Sequence, residues 1–81
     1  MSREVVRVDE QLDLRGEVCP YTFVKSKLAL EEMDRGQVLR VVVDNESSAE
    51  NVPRSLTNEG HEILSVSRLA PREWAILVKK A

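Results

Sequence analysis

The apolar residues of the chain fall into short extended runs separated by two longer helical stretches. The alternation Leu12-Asp13-Leu14 predicts a strand with one buried face. Residues 38–44 are β-branched and almost continuously apolar, which is typical of a central, largely covered strand. The runs that predict strands lie at 12–14, 38–44, 62–67 and 74–78, with a turn at 70–72 before the last one. Val5, Val6 and Val8 form an additional extended run near the N-terminus.

A first helix is predicted from Pro20 to about Met33, where good helix formers precede the stop at Gly36. At 3.6 residues per turn, one side of this helix gathers residues that we assign to the sheet: Phe23, Ser26, Ala29, Leu30 and Met33. Nearly opposite lies a second apolar stripe of Tyr21, Val24 and Leu28. This stripe either packs against the second helix or forms an exposed partner-docking patch.

A second helix is predicted to begin near Ser47, because Ser47 and Glu50 have the spacing of a capping box. It should run to about Glu59, where Gly60 ends it. The residues that close the preceding strand are expected to cap this helix, with a functional polar cluster as the alternative: Asp44 and Asn45. Pro53 lies inside this stretch, so we expect a bend or a split first turn there.

The predicted order is β-α-β-α-β-β, and it favours a two-layer α/β (α+β) sandwich. Each crossover is long enough to join parallel strands, and right-handed crossovers place both helices on one face of the sheet. The last two strands form a hairpin, which makes the four-stranded sheet mixed. We expect one domain over residues 1–81, with 1–9 as a strand extension or a loose N-terminus.

Composition and charge narrow the function classes. The 81 residues carry a net charge of −2, which gives no electrostatic basis for nonspecific nucleic-acid binding. No apolar run approaches the length of a membrane span, and no signal-peptide core follows the N-terminus. The single cysteine cannot form an internal disulfide or a Cys-x-x-Cys pair. We therefore expect a cytoplasmic protein without membrane association.

Cys19 directly precedes Pro20 at the predicted junction of loop and helix. Proline is favoured at the first helical position, whereas cysteine is a poor N-cap and so suggests a second purpose. The positive end of a helix favours a thiolate, and so would the nearby cations Arg15, Lys25 and Lys27, although Glu17 opposes them. The alternatives are a reactive thiol and a small buried apolar side chain.

The sequence lacks the residues that a cysteine would need for triad catalysis or for a zinc site. The one histidine, His61, follows Gly60 and is expected to be an exposed turn residue, since no third group of a catalytic triad is identifiable. One cysteine and one histidine fall short of a zinc site, and we expect neither a metal nor a cofactor. Phe23 and Trp74 are expected to anchor the core.

The run Leu12-Asp13-x-Arg15-Gly16-x-x-Cys19-Pro20 resembles the signature of the TusA-type (SirA-like, YedF-like) sulfur-carrier family. The likeness continues through Lys25, Lys27 and Asp44, the stretch 51–53, and the stretch 59–62. The family has a βαβαββ fold similar to the C-terminal domain of translation initiation factor 3. The family pattern continues as Cys-Pro-x-Pro, and here Thr22 stands in place of the second proline.

The resemblance implies that Cys19 accepts a sulfane sulfur as a persulfide and passes it on. Pro20 and Gly16 would be its motif partners, with Arg15, Lys25 and Lys27 as supporting cations. A protein donor of the cysteine desulfurase or rhodanese type and a protein acceptor are implied, in tRNA thiolation, molybdenum-cofactor maturation, or sulfur or selenium metabolism. The alternatives are a noncatalytic regulatory or protein-binding module that retains the fold, and an RNA-binding protein, which the acidic net charge disfavours.

Overall fold

The computed structural model describes residues 8–18 and 21–81. Its elements are β1 (Glu10–Asp13), α1 (Tyr21–Glu31), β2 (Val38–Val43), α2 (Glu46–Asn58), β3 (Glu62–Ala70) and β4 (Glu73–Lys79). This order confirms the predicted β-α-β-α-β-β arrangement. Val8 is exposed and lies outside the strands, whereas the run predicted at Val5 and Val6 falls outside the described residues.

The sheet is mixed, with the strand order β1-β2-β4-β3. The strands β1 and β2 are parallel, and β4 is antiparallel to both of its neighbours. All residues of the central strand β2 are buried except Arg40, which is half-buried. The nearly continuous apolar run therefore predicted the central position of this strand correctly, and the hairpin of the last two strands is confirmed.

Both helices cover the same face of the sheet. Leu39, Val41 and Val43 alternate along β2, so their side chains share one face, and all three belong to the buried core. That core also takes in Ile76 and Val78 from β4 and, from the helical layer, Leu30, Met33, Ala49, Val52 and Leu56. Phe23 and Trp74 pack against it, half-buried, as expected of core anchors. The molecule is thus a two-layer sandwich.

The start of α2 confirms one predicted cap and rules out another. Asn45, directly after β2, is the N-cap, and its Oδ1 accepts a hydrogen bond of 2.8 Å from the backbone N–H of Ser48. The proposed capping box of Ser47 and Glu50 was therefore wrong. Asparagine caps as well as serine, and here it lies where the strand ends, which leaves Ser47 inside the first turn.

The helix α2 continues through Pro53 as one element, so the prediction of a split first turn was also wrong. A proline removes one backbone donor, and the early start of the helix places Pro53 well beyond the first turn. A bend at this residue stays a prediction. No helix among the described residues is long and apolar enough to cross a membrane.

Candidate functional site

The loop that joins β1 to α1, residues 14–20, contains the cysteine motif and is called the motif loop below. Cys19 and Pro20 themselves lie outside the described residues, so the helix-capping geometry predicted for them stays a prediction. On one side, the backbone N–H of Glu17 donates to the carbonyl of Leu14 at 3.1 Å. Across the dipeptide, the N–H of Tyr21 donates to the carbonyl of Val18 at 2.8 Å. Hydrogen bonds therefore fix the chain on both sides of the cysteine.

Gly16 has a backbone conformation that residues other than glycine rarely adopt. Its φ is +90°, in the left-handed region that glycine enters without steric cost. Its N–H donates to Oδ2 of Asp44 at 2.9 Å, across 28 positions of sequence. A side chain at this position would strain the turn that presents the amide to Asp44. The backbone conformation and the bond to Asp44 thus explain why glycine follows arginine in the motif.

Asn45 links the motif loop to α2. Its Nδ2 donates to the backbone carbonyl of Glu17 at 3.0 Å, while its Oδ1 caps the helix at Ser48. One side chain thereby satisfies a loop carbonyl and a free helix amide. The sequence suggested capping for Asp44 and Asn45, and contact with the motif loop was not foreseen. The signal that was available is an Asp-Asn pair at the end of a buried strand.

Thr22 connects the first turn of α1 to α2. It is fully buried, and its Oγ1 lies 3.0 Å from Oγ of the fully buried Ser48, so the two hydroxyls share a hydrogen bond. The backbone carbonyl of Thr22 accepts a further bond of 2.8 Å from the hydroxyl of Ser26. The residue that departs from the family pattern therefore makes a buried polar contact between the helices. Local periodicity did not predict this contact, because its partner lies 26 positions away.

Arg15 forms ion pairs with two carboxylates. Its Nε and Nη2 donate to the two carboxylate oxygens of Asp13 at 2.9 and 2.8 Å, and its Nη1 lies 3.7 Å from Glu73. The hydrogen bond from Arg15 lowers the pKa of Asp13 to about 2, and the same pairing raises the pKa of Arg15. The guanidinium is thus held at the end of β1, next to Gly16.

The two lysines predicted to support Cys19 form ion pairs in different parts of the molecule. Nζ of Lys25 lies 2.8 Å from Oε2 of Glu17, inside the motif loop. Nζ of Lys27 instead lies 3.6 Å from Glu59, the C-cap residue of α2. Arg15 and Lys25 therefore contact carboxylates beside or within the motif loop, and Lys27 contacts the far end of the neighbouring helix. The supporting roles of all three toward Cys19 stay predictions.

The second stripe on α1 is exposed. Tyr21, Val24 and Leu28 expose 59%, 42% and 55% of their surface, so the stripe does not pack against α2. Tyr21, Val24 and Leu28 share one face of α1, at intervals of three and four residues. Val18, in the motif loop, is also 59% exposed, and the four residues are called the apolar ridge below. Its use as a docking surface stays a prediction.

The remaining polar candidates lie away from the motif loop. His61 follows α2, as expected of a turn residue, but it is half-buried, and its Nδ1 accepts a bond of 3.1 Å from the N–H of Ala81. Burial, and secondarily the charge of Lys80, lowers the pKa of His61. Across residues 8–18 and 21–81, no group of three or more His, Cys, Asp or Glu side chains is placed to hold a metal ion.

A groove of about 430 Å³ lies beside the residues that hold the motif loop. It is lined by Asp44, Asn45, Glu46, Arg68, Pro71, Arg72 and Trp74. The guanidinium of Arg68 lies over the indole ring of Trp74, 5.6 Å from its centroid, and donates to the carbonyl of Pro71. Lining residues of both charge signs give the groove no single ligand preference.

The fold defines the chain as a small two-layer βαβαββ protein, and its sequence places the one cysteine between the first strand and the first helix. The sulfurtransferase TusA family matches residues 10–80. The chain belongs to this family. This membership confirms the resemblance drawn from the motif.

Similar proteins agree with that assignment. A candidate sulfur carrier protein of Archaeoglobus fulgidus is 53% identical over 75 residues, which cover 93% of this chain and 85% of the relative. One from Thermotoga maritima is 41% identical, covering 90% of this chain and 92% of the relative. The candidate sulfur carrier TsuB of Escherichia coli is 34% identical, covering 91% and 99%.

A solved structure supports the fold. The crystal structure of a SirA-like protein from Desulfitobacterium hafniense superimposes with a TM-score of 0.76 at 25% identity, covering 86% of this chain and 95% of that one. Its two-layer architecture and that of the present chain are therefore the same.

Proposed function

We propose that this protein carries sulfane sulfur as a persulfide on Cys19 between a donor protein and an acceptor protein. The relatives are described as candidate sulfur carriers, and a carrier of this kind needs a thiol. Cys19 is the only cysteine in the 81 residues. That observation carries the proposal, because a sulfur atom held as a persulfide has no other residue to occupy.

The proposed loading step is a thiolate attack. The Cys19 thiolate attacks the outer sulfur of a donor persulfide, R–S–SH, and forms a new sulfur–sulfur bond. The bond between the two donor sulfurs breaks, the donor leaves as the thiolate RS⁻, and Cys19 then holds –S–SH. No external oxidant or reductant is needed, because the outer sulfur only changes its partner.

The surroundings of the motif loop support this chemistry. In the proposal, Arg15, Lys25 and Lys27 favour the anionic forms of the thiol and the persulfide, and Gly16 and Pro20 shape the loop. Arg15 and Lys25 are the two cations held near the loop by carboxylates, at Asp13 and Glu17. The local charge is therefore balanced, and long-range attraction of an acidic donor depends on the partner's own surface.

We further propose that donor and acceptor dock on the ridge of Val18, Tyr21, Val24 and Leu28. All four residues are exposed and apolar, and Val18 belongs to the motif loop itself. Exposed apolar rows of this kind are typical of protein-binding surfaces. A partner that covers the ridge would bring its reactive sulfur to the loop, and would give specificity without a deep substrate pocket.

Intact-protein mass spectrometry after incubation with inorganic polysulfide tests the loading step. We expect the wild-type chain to gain the mass of one sulfur atom, lost again on treatment with a reducing thiol, and Cys19→Ser to gain none. Equal gain by Cys19→Ser, or no gain by the wild type, would overturn the proposal. An inert Cys19 would favour a noncatalytic binding module instead.

A further inference from the structure

Three polar residues after β2, Asp44, Asn45 and Ser48, hold the chain on both sides of the Cys19-Pro20 dipeptide. We call them the tether residues. On the N-terminal side, Asp44 accepts from the Gly16 amide at 2.9 Å and Asn45 donates to the Glu17 carbonyl at 3.0 Å. On the C-terminal side, Ser48 shares a hydrogen bond of 3.0 Å with Thr22.

The tether residues are themselves fixed to one another. Asn45 accepts from the backbone N–H of Ser48 at 2.8 Å, so the contact with Glu17 and the contact with Thr22 belong to one connected network. Thr22 and Ser48 are fully buried, where a hydrogen bond is costly to leave unmade. Movement of either flank of the dipeptide therefore breaks bonds in the same small cluster.

We propose that Asp44, Asn45 and Ser48, with Thr22, are positioning residues that fix the Cys19 loop for sulfur transfer. They act through the backbone of Gly16 and Glu17 and through the first turn of α1. This inference rests on the proposed role of Cys19 as the carrier. Transfer between two sulfurs needs a defined approach, and a misplacement of about 1 Å at a reacting group costs on the order of 100-fold in rate.

One substitution separates positioning from helix capping. Asn45→Asp keeps the Oδ1 acceptor for the Ser48 amide but has no donor for the Glu17 carbonyl. We expect the urea midpoint of unfolding to stay close to that of the wild type, while polysulfide loading of Cys19 slows about 10-fold or more. Asn58→Asp, which adds the same charge at an exposed position of α2, is the matched control and should leave both close to the wild-type values.

A second variant tests the C-terminal side of the dipeptide, where Thr22 and Ser48 share a hydrogen bond, without leaving a buried hydroxyl unpaired. The double change Thr22→Val with Ser48→Ala removes both partners, which is far less destabilising than removing one. Loading should again slow, and Thr57→Val, at an exposed site on the same helix as Ser48, should load like the wild type. The single variant Thr22→Ser keeps both hydroxyls, and its loading rate should therefore be close to that of the wild type.

Two further readouts keep this inference separate from the carrier proposal. Iodoacetamide alkylates the single thiol without any sulfur donor, and its rate should change in the double variant, which adds no charge, but not in Thr57→Val. Hydrogen exchange should show the Gly16 and Tyr21 amides protected in the wild type and faster in Asn45→Asp. If alkylation, exchange and loading are all unchanged in Asn45→Asp and in the double variant, the positioning role is wrong. Failure of wild-type loading alone would overturn the carrier proposal.

Discussion

Leu28 on the apolar ridge gives a direct test of partner docking. Its side chain is 55% exposed and lies outside the core cluster, so Leu28→Ser should change stability by no more than about 0.5 kcal/mol. Full burial of a leucine is worth about 1.5–3 kcal/mol, and a docked partner would bury roughly the exposed half. The expected loss is thus about 1 kcal/mol, or about 5-fold in affinity.

The assay follows sulfur transfer from a cysteine desulfurase charged with cysteine to the purified chain at increasing chain concentration. Leu28→Ser should raise the concentration for half-maximal transfer about 5-fold and leave the rate at saturation unchanged. Loading from inorganic polysulfide, which needs no docking, should be unaffected. Tyr21→Ser and Val24→Ser should act in the same direction.

Val66→Ser is the matched control, because Val66 is 45% exposed but lies on β3, the edge strand farthest from β1 in the sheet. It should transfer like the wild type. Docking on the ridge is refuted if Val66→Ser raises the half-maximal concentration as much as Leu28→Ser. It is also refuted if Leu28→Ser slows polysulfide loading to the same extent, since the defect would then lie in the thiol and not in docking.

Three further predictions concern charge and stability. Arg15→Gln should raise the pKa of Asp13 from about 2 toward 3.8, as measured by NMR titration of its carboxyl carbon, and an unchanged value would refute the assigned cause. Burial lowers the pKa of His61 below 6.5, so the folded state binds a proton less readily than the unfolded state and the urea midpoint should fall as the pH drops below about 6.5. His61→Gln should flatten this dependence, and an equal slope in both proteins would contradict the prediction. Leu56→Ala, at a fully buried core site, should reduce the free energy of unfolding by about 2–5 kcal/mol in urea titrations, whereas a loss below 1 kcal/mol would be inconsistent with the assigned core.

The features that depend on local spacing along the chain were predicted correctly from the sequence. The run at β2 is apolar at every position but Arg40, the strand lies between β1 and β4, and its central position followed from that run alone. The opposite stripes of α1 were also predicted, since their spacing is a local property. Only the tertiary structure decided that the stripe with Tyr21 is exposed.

What the sequence did not predict depends on contacts between distant positions. Capping by Asn45 was expected, but its bond to the Glu17 carbonyl, 28 positions away, was not. Thr22 was noted as a departure from the family pattern, and its buried bond to Ser48 depends on how the helices pack. The pairing of Lys27 with Glu59 has the same origin. Periodicity carries no information on such pairs.

The central claim is that Cys19 both receives sulfur and passes it on. The most direct measurement loads the chain with heavy-isotope sulfur from labelled polysulfide, removes the excess, and adds a second thiol protein while intact masses are followed. We expect the label to leave the chain and appear on the second protein, and Cys19→Ser to transfer none. Label that stays on Cys19, or that reaches the acceptor equally with Cys19→Ser, would contradict it.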